Sequence, residues 1–482
     1  MMNSRTTFTN FFWRFMERCG AQAVTFVVSI ILARLLEPKV YGMVALITVI
    51  TSILYVFLDG GFSTALIQKK DADDLDFSST FYFNVVFGVV LYILLFICAP
   101  RIAGFYRMYE LVPVIRVLGL TLIIFSLKSV QQAYVSRHLM FKKFFFATLG
   151  GTIGAAFIGI FMAYKGFGVW ALVLQHLFNM TADTLILWIM VKWKPIRAFS
   201  FSRLKKLLQF GWKMLASGLL DVTYNNLRQL IIGRMYTASD LAFYNKGNQF
   251  PNILVTNINS SIDSVLLPTM ANHHENVSAV KSMTRRAIKT STFLLMPMMM
   301  SLAVCAKPLI ELILTEKWLP CVPYLRIFCF TYSFYTIHTA NLNAIKALGR
   351  SDLFLKLEII KKIMGFTVLA CTIWWGPLIM AYSLLLTSVL SQIINSWPNK
   401  KLLDYSYFEQ VKDMLPQIGL SCLMGALVFC VTLFKLSDIS TLLIQMPLGL
   451  LIYVIGSKIF HIDSYEYIIS IVNQYIPRKK KS

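Results

Sequence analysis

GWKMLASGLLDVTYNNLRQLIIGRMYTASDLAFYNKGNQFP, residues 211–251, is long and apolar enough to enter a bilayer, yet Asp221, Asn225, Asn226 and Arg228 stand in its middle. Hydrocarbon accepts such groups only where they face protein or a wet cavity. Ser217, Asp221, Asn225 and Arg228 recur at i, i+4, i+8 and i+11, which places them on one helix face and leaves the rest apolar. The stretch also repeats the opening of the chain. Trp212-Lys213 follows the pattern of Trp13-Arg14, and Ile232-Gly233-Arg234 that of Leu32-Ala33-Arg34. A second half therefore begins near residue 205, built as the first is. The expectation is a transporter.

Composition agrees. Hydrophobic residues make up 57% of the 482 residues and charged ones 14%, against about 25% charged in soluble domains. At ~20 apolar residues per crossing, the hydrophobic blocks divide into about fourteen spans. Strand-like alternation is absent, which excludes an outer-membrane barrel. Arg14, Glu17 and Arg18 interrupt the first block, so a cleaved signal is not expected and the first helix stays. The expected fold is an all-α polytopic membrane protein. It has a six-helix lobe over 1–191, a basic amphipathic cytoplasmic linker over 192–210, and a second six-helix lobe over 211–400. Two accessory transmembrane helices and a basic tail follow over 401–482. An even number of spans per lobe relates the lobes by a pseudo-two-fold along the membrane normal.

A net charge of +23 raises nucleic acid as a partner, but its distribution argues for topology instead. Most Lys and Arg fall at segment ends that are cytoplasmic if the N-terminus is, which puts both termini in the cytoplasm. The tail Arg478-Lys-Lys-Lys then anchors the chain beside anionic lipid. No nucleic-acid partner is expected. The eight cysteines show no C-x-x-C spacing and the histidines no metal-binding motif, so neither disulfide nor metal is indicated. Without a P-loop or dinucleotide fingerprint, no cofactor is expected beyond a coupling proton or sodium ion.

Polar faces then recur along the chain. Arg18, Gln22, Thr25 and Ser29 share one face of the first span, with Arg18 either lining a cavity or snorkelling to the cytoplasmic end. The second span carries Thr48, Ser52, Tyr55 and Asp59, followed by Gly60-Gly61, where a helix can break. Lys128 lies deep in the fourth span, as a cavity cation or an ion-pair partner, and Gln175, Asn179 and Asp183 step by fours along the sixth. In the eighth, Asn252, Thr256, Asn259 and Asp263 share a face between Pro251 and Pro268. The acidic run Asp71, Asp73, Asp74 and Asp76 reads as a solvated cytoplasmic loop rather than a calcium loop.

Four polar-faced helices, the first, second, seventh and eighth, point to a cavity for something large, hydrophilic and anionic. Arg and Lys pair with phosphate, and amides satisfy sugar hydroxyls. The expected substrate-contacting residues are Arg18, Gln22, Asp59, Lys128, Asp183, Asp221, Asn225, Arg228, Asn252, Asn259 and Asp263. Among them Arg18, Lys128 and Arg228 hold the anionic head, while Asp59, Asp221 and Asp263 neutralise these cations or respond to a coupling cation. No catalytic residue is expected: the periplasmic connections are short, and no histidine has a partner suited to chemistry.

The runs ARLLEPKVYGMVAL (33–46), DGGFSTALIQKKDADDLDFSSTFYFNVV (59–86) and APRIAGFY (99–106) resemble the Wzx-type lipid-linked oligosaccharide flippases. LIIGRMYTASDLAFYNKGNQFPNI (230–253) and ILTEKWLPCVPYLRI (313–327) extend the resemblance over most of residues 10–350. These flippases share a superfamily with the multidrug and toxin extruders, and the branch resembled is that of the colanic acid exporter. The resemblance implies a bacterial inner-membrane protein that moves undecaprenyl-diphosphate-linked oligosaccharide from the cytoplasmic to the periplasmic leaflet by alternating access. It also implies pathway partners, a polysaccharide polymerase and glycosyltransferases, and, through the related lipid II flippases, a diphosphate-binding role for Arg18. A cation-coupled multidrug exporter of the same fold is the alternative; it would favour an acidic, aromatic-lined pocket.

Overall fold

A computed structural model describes residues 4–475; side chains are described from Trp13 to Ser470, except those of residues 14, 15 and 17–19. The described chain is all helix and turn, without strands. Nine of its helices are long and apolar enough to cross a membrane. Helices 201–235 and 238–271 are not among them, because the polar rows described above lower their apolar content.

Two compact units divide the chain, residues 1–242 and 243–482. The first holds α1 (Ser4–Leu35), α2 (Pro38–Asp59), α3 (Phe62–Gln68), α4 (Asp74–Phe105), α5 (Leu111–Arg137), α6 (Phe141–Tyr164), α7 (Val169–Met190) and α8 (Phe201–Met235). In it α6 packs on α1 and α7, α5 on α4 and α7, and α8 on α2, α3 and α4. α9 (Ala238–Ala271) begins in the first unit and continues into the second. The second unit adds α10 (Val277–Val304), α11 (Ala306–Leu314), α12 (Val322–Ser333), α13 (Tyr335–Ala347), α14 (Ser351–Thr372) and α15 (Pro377–Leu402). It ends with α16 (Tyr407–Cys430), α17 (Asp438–Ile459) and α18 (Asp463–Tyr475). The repeat is visible in the helix ends. α1 stops at Leu35 and α2 opens at Pro38; α8 stops at Met235 and α9 opens at Ala238.

The amphipathic cytoplasmic linker expected over 192–210 is helical only from Phe201, and that helix runs on unbroken as α8. Ser200 caps it by accepting from the Arg203 amide, and no proline interrupts it before Met235. Residues 192–200 are non-helical, and their backbone is held by side chains. The Ile196 and Ser200 amides donate to Ser78 and Ser79 Oγ, both at 2.9 Å. These serines sit fully buried on α4 because they replace the partners a strand or helix would give.

In the acidic run Asp71, Asp73 and Asp74 are exposed, as a solvated loop requires, and Asp76 departs from that reading. Asp73 and Asp76 form a capping box for α4: the Asp76 amide donates to Asp73 Oδ1 at 2.9 Å, and the Asp73 amide to Asp76 Oδ2 at 3.2 Å. Asp76 has 0% exposure and is paired with Lys69 at 2.5 Å and Arg203 at 3.5 Å. Two cations and a helix N-terminus offset its loss of water. The end of α3 is closed from a distance. Arg137, at the end of α5, donates to the carbonyls of Leu66 at 2.7 Å, Ile67 at 3.4 Å and Lys70 at 2.8 Å, and also to that of Lys69.

Candidate functional site

Glycines set how closely α8 lies on α2. A Cβ at Gly211 would fall 2.7 Å from the Gly60 carbonyl oxygen, and one at Gly218 3.1 Å from Val56 Cγ1. α2 ends at Asp59, and Gly60 and Gly61 follow in the left-handed region with φ of 55° and 75°. The break expected at the glycine pair is therefore present, and α3 restarts at Phe62. This packing brings Asp59 and Asp221 to one recess of about 430 Å³, together with Tyr55, Thr64 and Ser217. Asp59 accepts from the Ser63 hydroxyl, while Tyr55 donates to Thr121 Oγ1 at 2.6 Å and stacks on Phe125.

Farther along α2 and α8 lies a second cavity, of about 560 Å³, walled by α1, α2, α6, α7 and α8. Its polar lining comes from Thr25 of α1, Tyr41, Thr48 and Ser52 of α2, Thr152 of α6, Gln175, His176 and Asn179 of α7, and Asn226 and Gln229 of α8. None of the ten expected substrate-contacting residues whose side chains are described lines it. Gln175 and Asn179 were recognised as neighbours of Asp183 on one face, and Asn226 as a polar residue of the seventh span. Gln229 carried a weaker signal: it follows Arg228 directly and falls outside the i, i+4, i+8, i+11 row.

Lys128 and Asp183 meet as an ion pair joining α5 to α7, their side chains 12% and 11% exposed. Of the two readings for Lys128, the ion-pair partner is the one observed. Asp183 Oδ1 makes no hydrogen bond, so one lone pair remains open. Arg228 differs. It is 7% exposed, and its Nε and Nη2 have no hydrogen-bond partner. A buried guanidinium with idle donors is costly unless an anion meets it, and a phosphate matches its fork.

Asn225, next to Arg228, is exposed. Gln22 is half-buried on α1, and the side chain of Arg18 lies outside the described residues. In the second unit the α9 row meets α13. Thr339 donates to Asn259 Oδ1 at 2.5 Å and Asn343 to Asp263 Oδ1 at 2.8 Å, one helical turn apart on both helices. Asn252 is exposed and accepts from Thr256 at 3.3 Å. Among the described residues no group of three or more His, Cys, Asp or Glu could hold a metal ion.

Polar residues lining helices that are otherwise lipid-compatible define a multi-pass, all-helical membrane protein. Its fold is that of the lipid II flippase MurJ in an inward closed conformation, with a TM-score of 0.74 at 15% identity over 96% of this chain and 99% of that one. An inward-facing multidrug resistance MATE transporter shares it at a TM-score of 0.62 and 16% identity, over 80% and 94% of the two chains. Residues 31–323 match the polysaccharide biosynthesis protein family, and the chain belongs to it. It is 26% identical to the teichuronic acid biosynthesis protein TuaB of Bacillus subtilis, over 83% of this chain and 84% of that one. With the lipopolysaccharide biosynthesis protein WzxC of Escherichia coli it shares 22%, over 80% and 77%.

Proposed function

We propose that the chain is a flippase that carries undecaprenyl-diphosphate-linked oligosaccharide from the cytoplasmic to the periplasmic leaflet by alternating access, for the assembly of a cell-surface polysaccharide. Family membership and the names of the relatives support it: teichuronic acid biosynthesis, lipopolysaccharide biosynthesis, and the succinoglycan biosynthesis transport protein ExoT of Rhizobium meliloti. The observation that carries the substrate class is Arg228, a buried guanidinium with unengaged donors, with the amides Asn225, Asn226 and Gln229 beside it on α8. That chemistry suits a diphosphate attached to sugars, not an organic cation. Arg18 supplies a second cation, and Lys128 becomes available only where Asp183 releases it.

In this reading the chain is a transporter of the inner membrane with both termini in the cytoplasm. It works without a catalytic residue, beside the polymerase and glycosyltransferases of its pathway. Asp59 and Asp221 are the acidic groups placed to sense a coupling proton or sodium ion. The test is made on cells depleted of the protein, with the leaflet of each lipid-linked oligosaccharide read by a membrane-impermeant probe. Accumulated diphosphate-linked repeat units shielded from that probe are the expected result. Normal lipid pools with lost resistance to cationic dyes would replace this reading with a drug exporter.

A further inference from the structure

We propose that the 560 Å³ cavity of the first unit is a saccharide subsite, one that takes an uncharged sugar of the cargo and leaves the diphosphate to Arg228. The inference rests on the flippase reading and deepens it. Its volume lies within the ~300–1,000 Å³ of small-ligand sites. Among the described residues its lining holds no Asp, Glu, Lys or Arg. A phosphate or a uronate would find no counter-ion among those residues, whereas a hydroxyl-rich ring needs none.

The hydrogen bonding of the lining side chains is unequal, and this is what points to a ligand. Three of the lining hydroxyls have spent their protons on their own helices. Thr48 donates to the Val44 carbonyl at 2.8 Å, Ser52 to Val49 at 2.7 Å and Thr152 to Thr148 at 2.7 Å. They offer the cavity only lone pairs. Among the described residues, Gln175, His176 and Asn179 of α7 make no side-chain hydrogen bond. From α8, Gln229 donates to Asn226 Oδ1 at 3.1 Å and Asn226 to the Val222 carbonyl at 2.8 Å, which ties that pair to its own helix.

Thr48, Ser52 and Thr152 thus supply acceptors, and α7 a row of amides able to donate and accept. A sugar hydroxyl does both, and adjacent hydroxyls match an amide's paired groups. Free amides at bilayer depth are costly to leave unmet, so a ligand that satisfies them gains what the empty cavity loses.

The experiment uses the full chain purified in nanodiscs and compares three probes by native mass spectrometry: undecaprenyl diphosphate, and the same lipid carrying N-acetylglucosamine or galactose. Wild-type protein should hold at least one sugar lipid more tightly than the bare lipid. Gln175→Leu/Asn179→Leu, close in shape but without the amides, should lose that preference by about tenfold, the worth of two ordinary hydrogen bonds. Its hold on the bare lipid should stay unchanged. Arg228→Ala should weaken all three probes. A wild-type protein that holds the three alike, or a double variant that keeps the preference, would show a water-filled vestibule and overturn the subsite while the flippase reading stood. A wild-type protein that holds none of the three would overturn both. His176→Phe provides a second variant should the double substitution unfold, and retention of the sugar preference in it would count against the subsite.

Discussion

At the scale of single residues, the Lys128–Asp183 pair shows how far spacing reaches. Periodicity placed Asp183 on a polar face and depth singled out Lys128, but spacing orders residues around one helix and is silent about which helix stands opposite. Removing one partner strands a buried charge, so Lys128→Met or Asp183→Asn should each cost about 3–5 kcal/mol, and Lys128→Met/Asp183→Leu should recover much of it. Unfolding midpoints in detergent would check the order of the three. Asp76 was misread for the opposite reason. An acidic run between helices looks solvated, and only reciprocal caps and paired cations, which a local pattern does not reveal, show that one of its members is buried. The Asp76 amide, then neighbouring cations, hold the Asp73 carboxyl below its usual range. Its folded pKa lies under the unfolded one, so its contribution is complete above about pH 4 and fades as pH falls further. Asp73→Ala should loosen the start of α4 by about 1 kcal/mol at neutral pH. Hydrogen exchange across residues 70–78 would register it, with the difference from wild type shrinking in acid.

Elements were legible where the chain carries its own punctuation. Gly60-Gly61 announced the end of α2, and both glycines take the left-handed conformation. Their second role, closeness to Gly211, was illegible because it depends on a helix 150 positions away in the chain. Gly61→Ala should cost about 1–2 kcal/mol from its φ alone, and more from the Gly211 backbone it would press upon. Gly60→Ala carries a comparable conformational cost but meets a side chain, Phe62, which can turn aside. Thermal midpoints should therefore rank Gly61→Ala below Gly60→Ala; the reverse order would mean that α8 is not held by this contact. The linker shows the converse. Its basic, apolar alternation suggested a separate surface helix, but nothing between Phe201 and Met235 stops a helix once Ser200 has capped it.

For the whole molecule, composition alone announced an all-helical membrane protein, since a chain so poor in charge has few other ways to fold. The same composition said nothing of the 560 Å³ cavity, whose walls come from five helices spread over some two hundred residues. Charge asymmetry leads to a prediction at this scale: a fluorescent reporter that folds only in the cytoplasm should light up at either terminus, and a periplasmic phosphatase fused there should stay inactive. Time enters through Arg137. The carbonyls it closes on α3 precede it by 67 to 71 residues, which a ribosome takes roughly 3–14 s to make. For those seconds the nascent α3 has an open end beside Lys69 and Lys70, cleavable by trypsin. Stalled chains whose emerged part stops short of residue 137 should be cut there, and slightly longer ones should resist. The order of synthesis thereby makes α5 the step that completes a helix already inserted.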